Sequence, residues 1–324
     1  MPASGIPLFS QTIIHDAYGA VLSGVQTAMR SKDPYHGSII PVLGPTRVGK
    51  SAVMSSLVDT SDQAKSLVPM KDTVWATLPP QTNGKEVYRS ILQALNLRTA
   101  PKENTATSRE RLYRAIESYG IKTVIIDEIH HLIERGSNLP SRMAGDHLKT
   151  LADATRINLV LSGLPRFQSI IDDNEQLRDR AQQTILFKPY DWQLESDRAS
   201  FASAVDSAIG SLEDTGFKFE IDFENLVRRL YGASGGRVPM IARLLKSVAL
   251  STELTHQIGL PDLRKAAKAM QQSGIPISQF FADDEPDEIE LMRSFAGTMS
   301  EAGLEFNAET IPGLEVVWDV KAAS

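Results

Sequence analysis

Residues 39–51 read Ile39-Ile40-Pro41-Val42-Leu43-Gly44-Pro45-Thr46-Arg47-Val48-Gly49-Lys50-Ser51, a short apolar run that breaks into a glycine-bounded loop ending in Gly-Lys-Ser. No other stretch restricts the fold as much, because this spacing requires a strand, a phosphate-cradling loop and a helix in succession. Gly44 and Gly49 free the backbone to wrap an anion with its N–H groups pointing inward. The loop from Gly44 through Pro45, Thr46, Arg47, Val48 and Gly49 to Lys50, Ser51 and Ala52 is therefore expected to line a nucleotide. Lys50 would reach the β and γ phosphates and the Ser51 hydroxyl would sit on Mg²⁺. The segment from Ala52 to Val58 reads as a helix whose N-terminus favours phosphate.

A second motif lies 77 residues beyond Lys50, where Val124-Ile125-Ile126-Asp127-Glu128 forms a run apolar enough for a buried parallel strand and ends on two carboxylates. Asp127 is placed to hold the Mg²⁺ shell opposite Ser51, and Glu128 to orient and polarise the water that attacks the γ phosphate. Loop and acids together predict a nucleoside triphosphatase with its own base. His130 and His131 follow directly, but no third ligand stands at a zinc-type spacing, so they read as strand caps or nucleotide sensors.

The chain has 324 residues, 42% hydrophobic and 23% charged, which suits one large core plus a smaller domain. It has no cysteine, so disulfides and thiolate metal sites are excluded. No apolar stretch reaches the ~18 residues of a membrane span, and Met1 to Gly5 lacks the blocks of a signal peptide, so the protein is expected in the cytoplasm, with no membrane partner. The net charge of −6 is unevenly spread: residues 280–324 hold eleven acids against Arg293 and Lys321, leaving 32 bases and 29 acids before them. A mildly basic body with an acidic tail is compatible with DNA on one face.

In chain order, residues 10–30 read as an amphipathic helix on Ile14, Ala17, Val21, Val25 and Met29. Strands are expected near 39–43, 73–78, 123–127, 157–162 and 184–188, and helices over Lys85 to Leu97, from Ser108 with Thr107 as cap and Gly120 as stop, and over Ser141 to Ala154. The strand Ile157 to Gly163 brings Ser162 beside the acids, where it would touch the γ phosphate or the attacking water. Arg178 and Arg180 precede the fifth strand, where a ring or filament ATPase would present an arginine to the neighbouring subunit's γ phosphate. Arg180 is the first choice and Arg178 the second; surface pairing within one subunit is the alternative. Beyond Trp192 the pattern turns helical, and Gly235-Gly236-Arg237-Val238-Pro239 sets an arginine at a helix start, suited to reach from a helical lid. The expected division is 1–38 as N-terminal helix and linker, 39–190 as the α/β nucleotide-binding core, 191–275 as the lid, and 276–324 as an acidic, partly flexible tail.

Gly-Pro-Thr-Arg-Val-Gly-Lys-Ser at 44–51, Val-Ile-Ile-Asp-Glu-Ile-His-His at 124–131, Leu-Val-Leu-Ser-Gly-Leu-Pro at 159–165, Asn-Glu-Gln-Leu-Arg-Asp-Arg at 174–180 and Gly-Gly-Arg-Val-Pro at 235–239 occur in the order of an initiator-type AAA+ ATPase. The set resembles the TniB/TnsC family of transposition regulators, related to the phage Mu target-binding ATPase, over about residues 10 to 275. The resemblance implies a P-loop AAA+ (ASCE) fold, a five-stranded parallel sheet flanked by helices with a small helical lid. It implies ATP hydrolysis to ADP and phosphate with Mg²⁺, and a homo-oligomeric ring or helical filament on double-stranded DNA. That assembly would connect a TniQ-like target-selection protein to a DDE transposase, with hydrolysis resetting it. By position, Lys50 and Ser51 bind phosphate and Mg²⁺, Asp127 and Glu128 complete the site, Ser162 is the first sensor, Arg178 or Arg180 the finger and Arg237 the second sensor. Lys102, Thr105, Arg109 and Lys149 are the DNA-contact candidates. The alternatives are a replication initiator or helicase loader, and a nucleotide-switched adaptor acting through the acidic tail.

Overall fold

The computed structural model describes residues 11–31, 36–61, 72–80, 82–100, 102–133, 141–252, 256–270, 277–307 and 311, apart from the side chains of 59–61 and 141–142. The chain divides into two compact units, one of residues 18–46 with 50–187, the other of 188–324 with 1–17 and 47–49. The first ten residues and most of the stretch beyond 307 lie outside the described residues, and with them those parts of the expected N-terminal segment and tail.

The first unit is built on five parallel strands, β1 (Ser38–Leu43), β2 (Thr73–Thr77), β3 (Thr123–Asp127), β4 (Asn158–Gly163) and β5 (Ile185–Leu186), in the order β2-β3-β4-β1-β5. Every residue of β1, β3 and β4 is buried, which is why these strands read as unbroken apolar runs instead of alternating ones. β4 lies between β1 and β3, so the strand carrying the loop and the strand carrying the acids are separated by the one that ends in Ser162.

Pro41 sits in the centre of this sheet, where a missing N–H would normally break a ladder. Ile39 points its backbone groups toward the fifth-strand side, donating to Arg180 O at 3.0 Å and accepting from Gln182 N at 2.8 Å. Alternate residues share a side, so Pro41 also faces it. There it falls between the bridge at Ala181 and the pairing that begins at Val42 with Ile185, where the ladder has a gap.

Helices pack on the sheet. α1 (Asp16–Arg30) buries Tyr18, Val21 and Val25. It begins at Asp16, whose charge suits a helix N-terminus, later than the sequence suggests, so that Ile14 precedes it and is 75% exposed. α2 (Lys50–Ser61) follows the loop, and α3 (Gly84–Ala94) buries Val87, Ile91 and Leu92 beneath a cap from Asn83. α4 (Thr105–Tyr119) starts earlier than expected, because Asn104 and not Thr107 is its cap: the Asn104 side chain accepts from Thr107 N at 2.8 Å. Gly120 ends α4 in the left-handed conformation, φ 66°, as expected. Two 3₁₀ turns (Ile129–Leu132 and Pro165–Phe167), α5 (Ser141–Thr155), α6 (Gln168–Asp173) and α7 (Glu175–Arg178) complete the described part of the unit.

The second unit holds α8 (Glu195–Glu213), β6 (Lys218–Phe219), α9 (Phe223–Ser234), α10 (Val238–Ser251), β7 (Gln257–Ile258), α11 (Leu260–Met270), a 3₁₀ turn (Ile277–Phe281) and α12 (Glu288–Glu301), with β6 and β7 paired in parallel. Gly236, φ 79°, has to be glycine, since a Cβ there would meet Tyr190 O at 2.2 Å.

The expectation of a loosely ordered tail from 276 is corrected over 277–307. Leu291, Phe295 and Met299 recur every four residues along α12 and are buried with Phe280 and Phe281 in the core of the second unit. The acids that suggested a solvated tail have structural work. Asp287 and Glu290 form a reciprocal capping box, with Glu290 N donating to Asp287 at 2.7 Å and Asp287 N to Glu290 at 3.0 Å. Glu288 accepts from Trp192 Nε1 at 2.5 Å and pairs with Arg228, which also meets Glu285 at 2.8 Å. The fully buried Arg229 donates to Phe280 O at 3.0 Å and Ala282 O at 2.7 Å, tying the segment before α12 to α9.

Candidate nucleotide site

The site forms at the carboxyl ends of β1, β4 and β3, the edge of an open parallel sheet at which ligands are generally received. Between β1 and α2 the chain passes through left-handed backbone at Arg47, φ 61°, and Gly49, φ 117°. Such alternation turns successive N–H groups to one side and makes an anion-binding concavity beside the free N–H groups of the α2 N-terminus.

Lys50 opens α2, 8% exposed, and its ammonium donates to Gly44 O at 2.8 Å and Pro45 O at 2.7 Å. Burial pushes its pKa down to about 8, opposed by the nearby charges of Glu128 and Asp127. The lysine thus rests on two neutral carbonyls within its own loop, partners it can exchange for phosphate oxygens.

Asp127 closes β3, 3% exposed, and is oriented by three donors. Ser51 Oγ donates to Oδ2 at 2.9 Å, Ser162 Oγ to Oδ1 at 2.7 Å, and Glu128 N to Oδ1 at 3.0 Å. The hydroxyl and carboxylate expected to share Mg²⁺ therefore converge from α2 and β3, a hard-oxygen donor set that fits this ion. Ser162 is brought to the acids as the sequence suggests, but its hydroxyl is spent on Asp127.

Glu128 has φ 57° and ψ 37°, a conformation side chains other than glycine rarely take and which clusters at functional positions. It turns the chain from β3 into the 3₁₀ turn, leaving its side chain 43% exposed. Its Oε2 lies 3.2 Å from Nδ1 of His130, which is buried. The turn comes close to β4 because residue 163 is glycine: a Cβ there would meet Ile129 Cγ2 at 2.7 Å. Glu128, His130 and His131 bring potential ligand atoms within 4.8 Å of one another, the carboxylate being the third group that linear spacing did not offer. Neither Gly163 nor the contact of His130 with Glu128 is marked in the sequence by more than adjacency.

The two finger candidates differ. Arg178 ends α7 and is exposed, with Nη1 donating to the Asp172 carbonyl at 3.1 Å. Arg180, the first choice from the sequence, is held within its own unit, with Nε 2.9 Å from Asp153 Oδ1. Arg237 belongs to the second unit, at the cap of α10. Its Nε donates to Ser234 O at 2.8 Å, and burial pushes its pKa below the usual guanidinium range.

Of the DNA candidates, Lys102 is exposed, Thr105 opens α4, and Arg109 lies near enough to Tyr88, Tyr113 and His147 for its charge to act on all three. Lys149 donates to Gln176 Oε1 at 2.9 Å and lines a concavity with Asp146, Asp173 and Glu175. Three acids around one lysine make that spot unfavourable for a polyanion.

A family profile described as "Bacterial TniB protein" matches residues 10–191, more than half of the chain. No curated protein matches. Among solved structures the chain is similar to Cdc6p from Pyrobaculum aerophilum, with a TM-score of 0.59 and 13% identity over 99% of this chain and 88% of that one. It is also similar to the Aeropyrum pernix ORC2 protein described in ADPNP–ADP complexes, with a TM-score of 0.57 and 15% identity over 94% and 80%. The Aeropyrum pernix ORC1 protein in complex with DNA gives 0.55 and 14% over 97% and 86%. At these identities the likeness is one of fold, the parallel sheet and flanking helices of AAA+ ATPases. Among the described residues no helix is long and apolar enough to cross a membrane.

Proposed function

The chain belongs to the TniB family, and on that premise we propose that it is a Mg²⁺-dependent ATPase that binds double-stranded DNA as a ring or helical filament and regulates transposition. The observation that carries the reading is the convergence of Lys50, Ser51, Asp127 and Ser162 at the ends of three adjacent strands, with Glu128 beside them. Lys50 exchanges its two carbonyls for the β and γ phosphates of ATP, a gain because a charged acceptor binds an ammonium more strongly than a neutral one. Mg²⁺ held by Ser51 and Asp127 supplies screening of phosphate charge when bound. Glu128 takes a proton from water as the water oxygen bonds to the γ phosphorus. The bond from phosphorus to the β–γ bridging oxygen breaks, and its electron pair leaves with ADP.

Arg178 is the better arginine to offer a neighbouring subunit, because it is exposed and bound to a single carbonyl, whereas Arg180 would have to give up Asp153 first. Arg237 is the second sensor in this reading. Lys102, Thr105 and Arg109 are proposed to meet the DNA backbone, and Lys149 is the weakest of the four candidates for the electrostatic reason above. The proposed partners are a TniQ-like selector and a DDE transposase, a reading that family membership supports. A replication initiator would share the fold, so the DNA-bound relatives do not favour either task.

Electron microscopy with duplex DNA and ATP or a non-hydrolysable analogue tests the reading. Nucleotide-dependent oligomers along DNA, with affinity falling steeply as salt rises, are expected. Protein that stays monomeric on DNA with the analogue at high concentration overturns the assembly, and unchanged turnover in Lys50→Ala or Glu128→Gln overturns the site.

A further inference from the structure

The carboxylate read as the base of hydrolysis is not enclosed by the site: Glu128 is nearly half exposed and leaves β3 on left-handed backbone. A glutamate has three side-chain torsions, so a base left to itself would visit many arrangements that cannot accept a proton from a water at the γ phosphate. Catalytic bases are commonly oriented by a further group on the side away from the reaction.

One such group is present. His130 is two residues on, on the 3₁₀ turn, and its ring is buried, with Nδ1 3.2 Å from Glu128 Oε2. The turn is itself fixed, because His131 N donates to Glu128 O at 3.0 Å, Ile133 N donates to His130 O at 3.0 Å, and Gly163 admits Ile129 against β4. The His131 ring lies at 4.5 Å, centroid to centroid, from that of His130. The imidazole is therefore a fixed point and the carboxylate the movable one. Glu128 also lies close enough to Lys50 for its charge to act on the ammonium.

We propose that His130 is a positioning residue for Glu128: its imidazole holds one carboxylate oxygen and leaves the other to accept the proton of the attacking water. The inference deepens the ATPase reading and rests on Glu128 being the base. It assigns His130 no contact with nucleotide, so its loss should act on the rate of the chemical step and spare binding.

The test compares His130→Leu, His130→Asn and His130→Gln in steady-state hydrolysis, with thermal unfolding and binding of a fluorescent ATP analogue as controls. Asn keeps a donor near the position of Nδ1; Gln places its donor where Nε2 was. His130→Leu is expected to lower kcat about tenfold to a hundredfold, with KM changed less than about twofold. His130→Asn is expected to recover most of the rate and His130→Gln little of it, and this pair carries the test if the leucine variant does not fold. In a Glu128→Gln background His130→Leu should lower the residual rate no further. Unchanged or raised kcat in His130→Leu overturns the proposal, as do equal losses in the Asn and Gln variants. If Glu128→Gln abolishes turnover while His130→Leu is normal, this inference alone fails; if Glu128→Gln turns over normally, the base assignment fails with it.

Discussion

Replacing Ser162 by alanine would test whether the middle strand of the site contributes to catalysis by orienting Asp127. The hydroxyl is fully buried and donates to Asp127 Oδ1 at 2.7 Å. Alanine removes that bond without adding volume, so little repacking is expected. A hydrogen bond to an ionised group contributes about 1.5–3 kcal/mol. Asp127 would keep Ser51 on one oxygen and the Glu128 amide on the other, which places the loss toward the lower end. If the carboxylate's orientation matters chiefly in the transition state, about 1.5–2 kcal/mol corresponds to a fall in kcat of roughly 10- to 30-fold. Affinity for a fluorescent ATP analogue should change less, because the phosphate loop is untouched. Phosphate release measured against ATP concentration separates the two, and a Ser51→Ala, Ser162→Ala double mutant should lose less than the sum of the singles, since both act through one carboxylate. A kcat within about twofold of the parent, in protein that melts normally, would refute the reasoning.

Phe295→Ala should destabilise the second unit by about 3–4 kcal/mol, because Phe295 is 5% exposed in its core; an unchanged urea midpoint would restore the reading of the C-terminal segment as a tail. Arg178→Ala should lose hydrolysis by about 10³-fold or more and regain it on mixing with Lys50→Ala, whose intact Arg178 serves the neighbour's site. Arg180→Ala should instead act mainly on stability, and the reverse pattern would move the finger to Arg180. Burial pushes the His15 pKa from 6.5 down to about 4 in the folded chain, where Tyr190 Oη lies 2.9 Å from Nδ1. The unfolded chain then binds the extra proton first, so this contribution to stability is present above about pH 6.5 and is lost toward pH 4, up to about 3 kcal/mol. Melting curves between those values should show that slope and lose it in His15→Gln.

The nucleotide-binding half was legible because its two signals are local. Val124 to Ile126 and Leu159 to Leu161 read as strands since each is buried on both faces, and the loop from Gly44 to Ser51 carries its chemistry in consecutive residues. Less legible are the surroundings of groups whose partner is far along the chain. Arg180, the first choice as finger, is held by Asp153, which stands 27 positions earlier and is not marked in the sequence as its partner. Asp173 and Glu175, acids that line one concavity with Lys149, come there only through the packing of α5 against α6 and α7. The acids from 283 to 290 are exposed, as their charge predicts, yet the segment that carries them is drawn in, because Arg228, Arg229 and Arg264 on α9 and α11 bind its carboxylates and carbonyls. Within that segment the apolar period of Leu291, Phe295 and Met299 is present, but net charge and Pro286 weigh against it, although Pro286 stands before the N-cap Asp287 and breaks no bond of the helix. Charge in a linear stretch therefore predicts the exposure of its side chains and not the disorder of its backbone. Asp127 is the opposite case, an acid at the close of a strand that is buried because Ser51 and Ser162 arrive from two other elements to satisfy it.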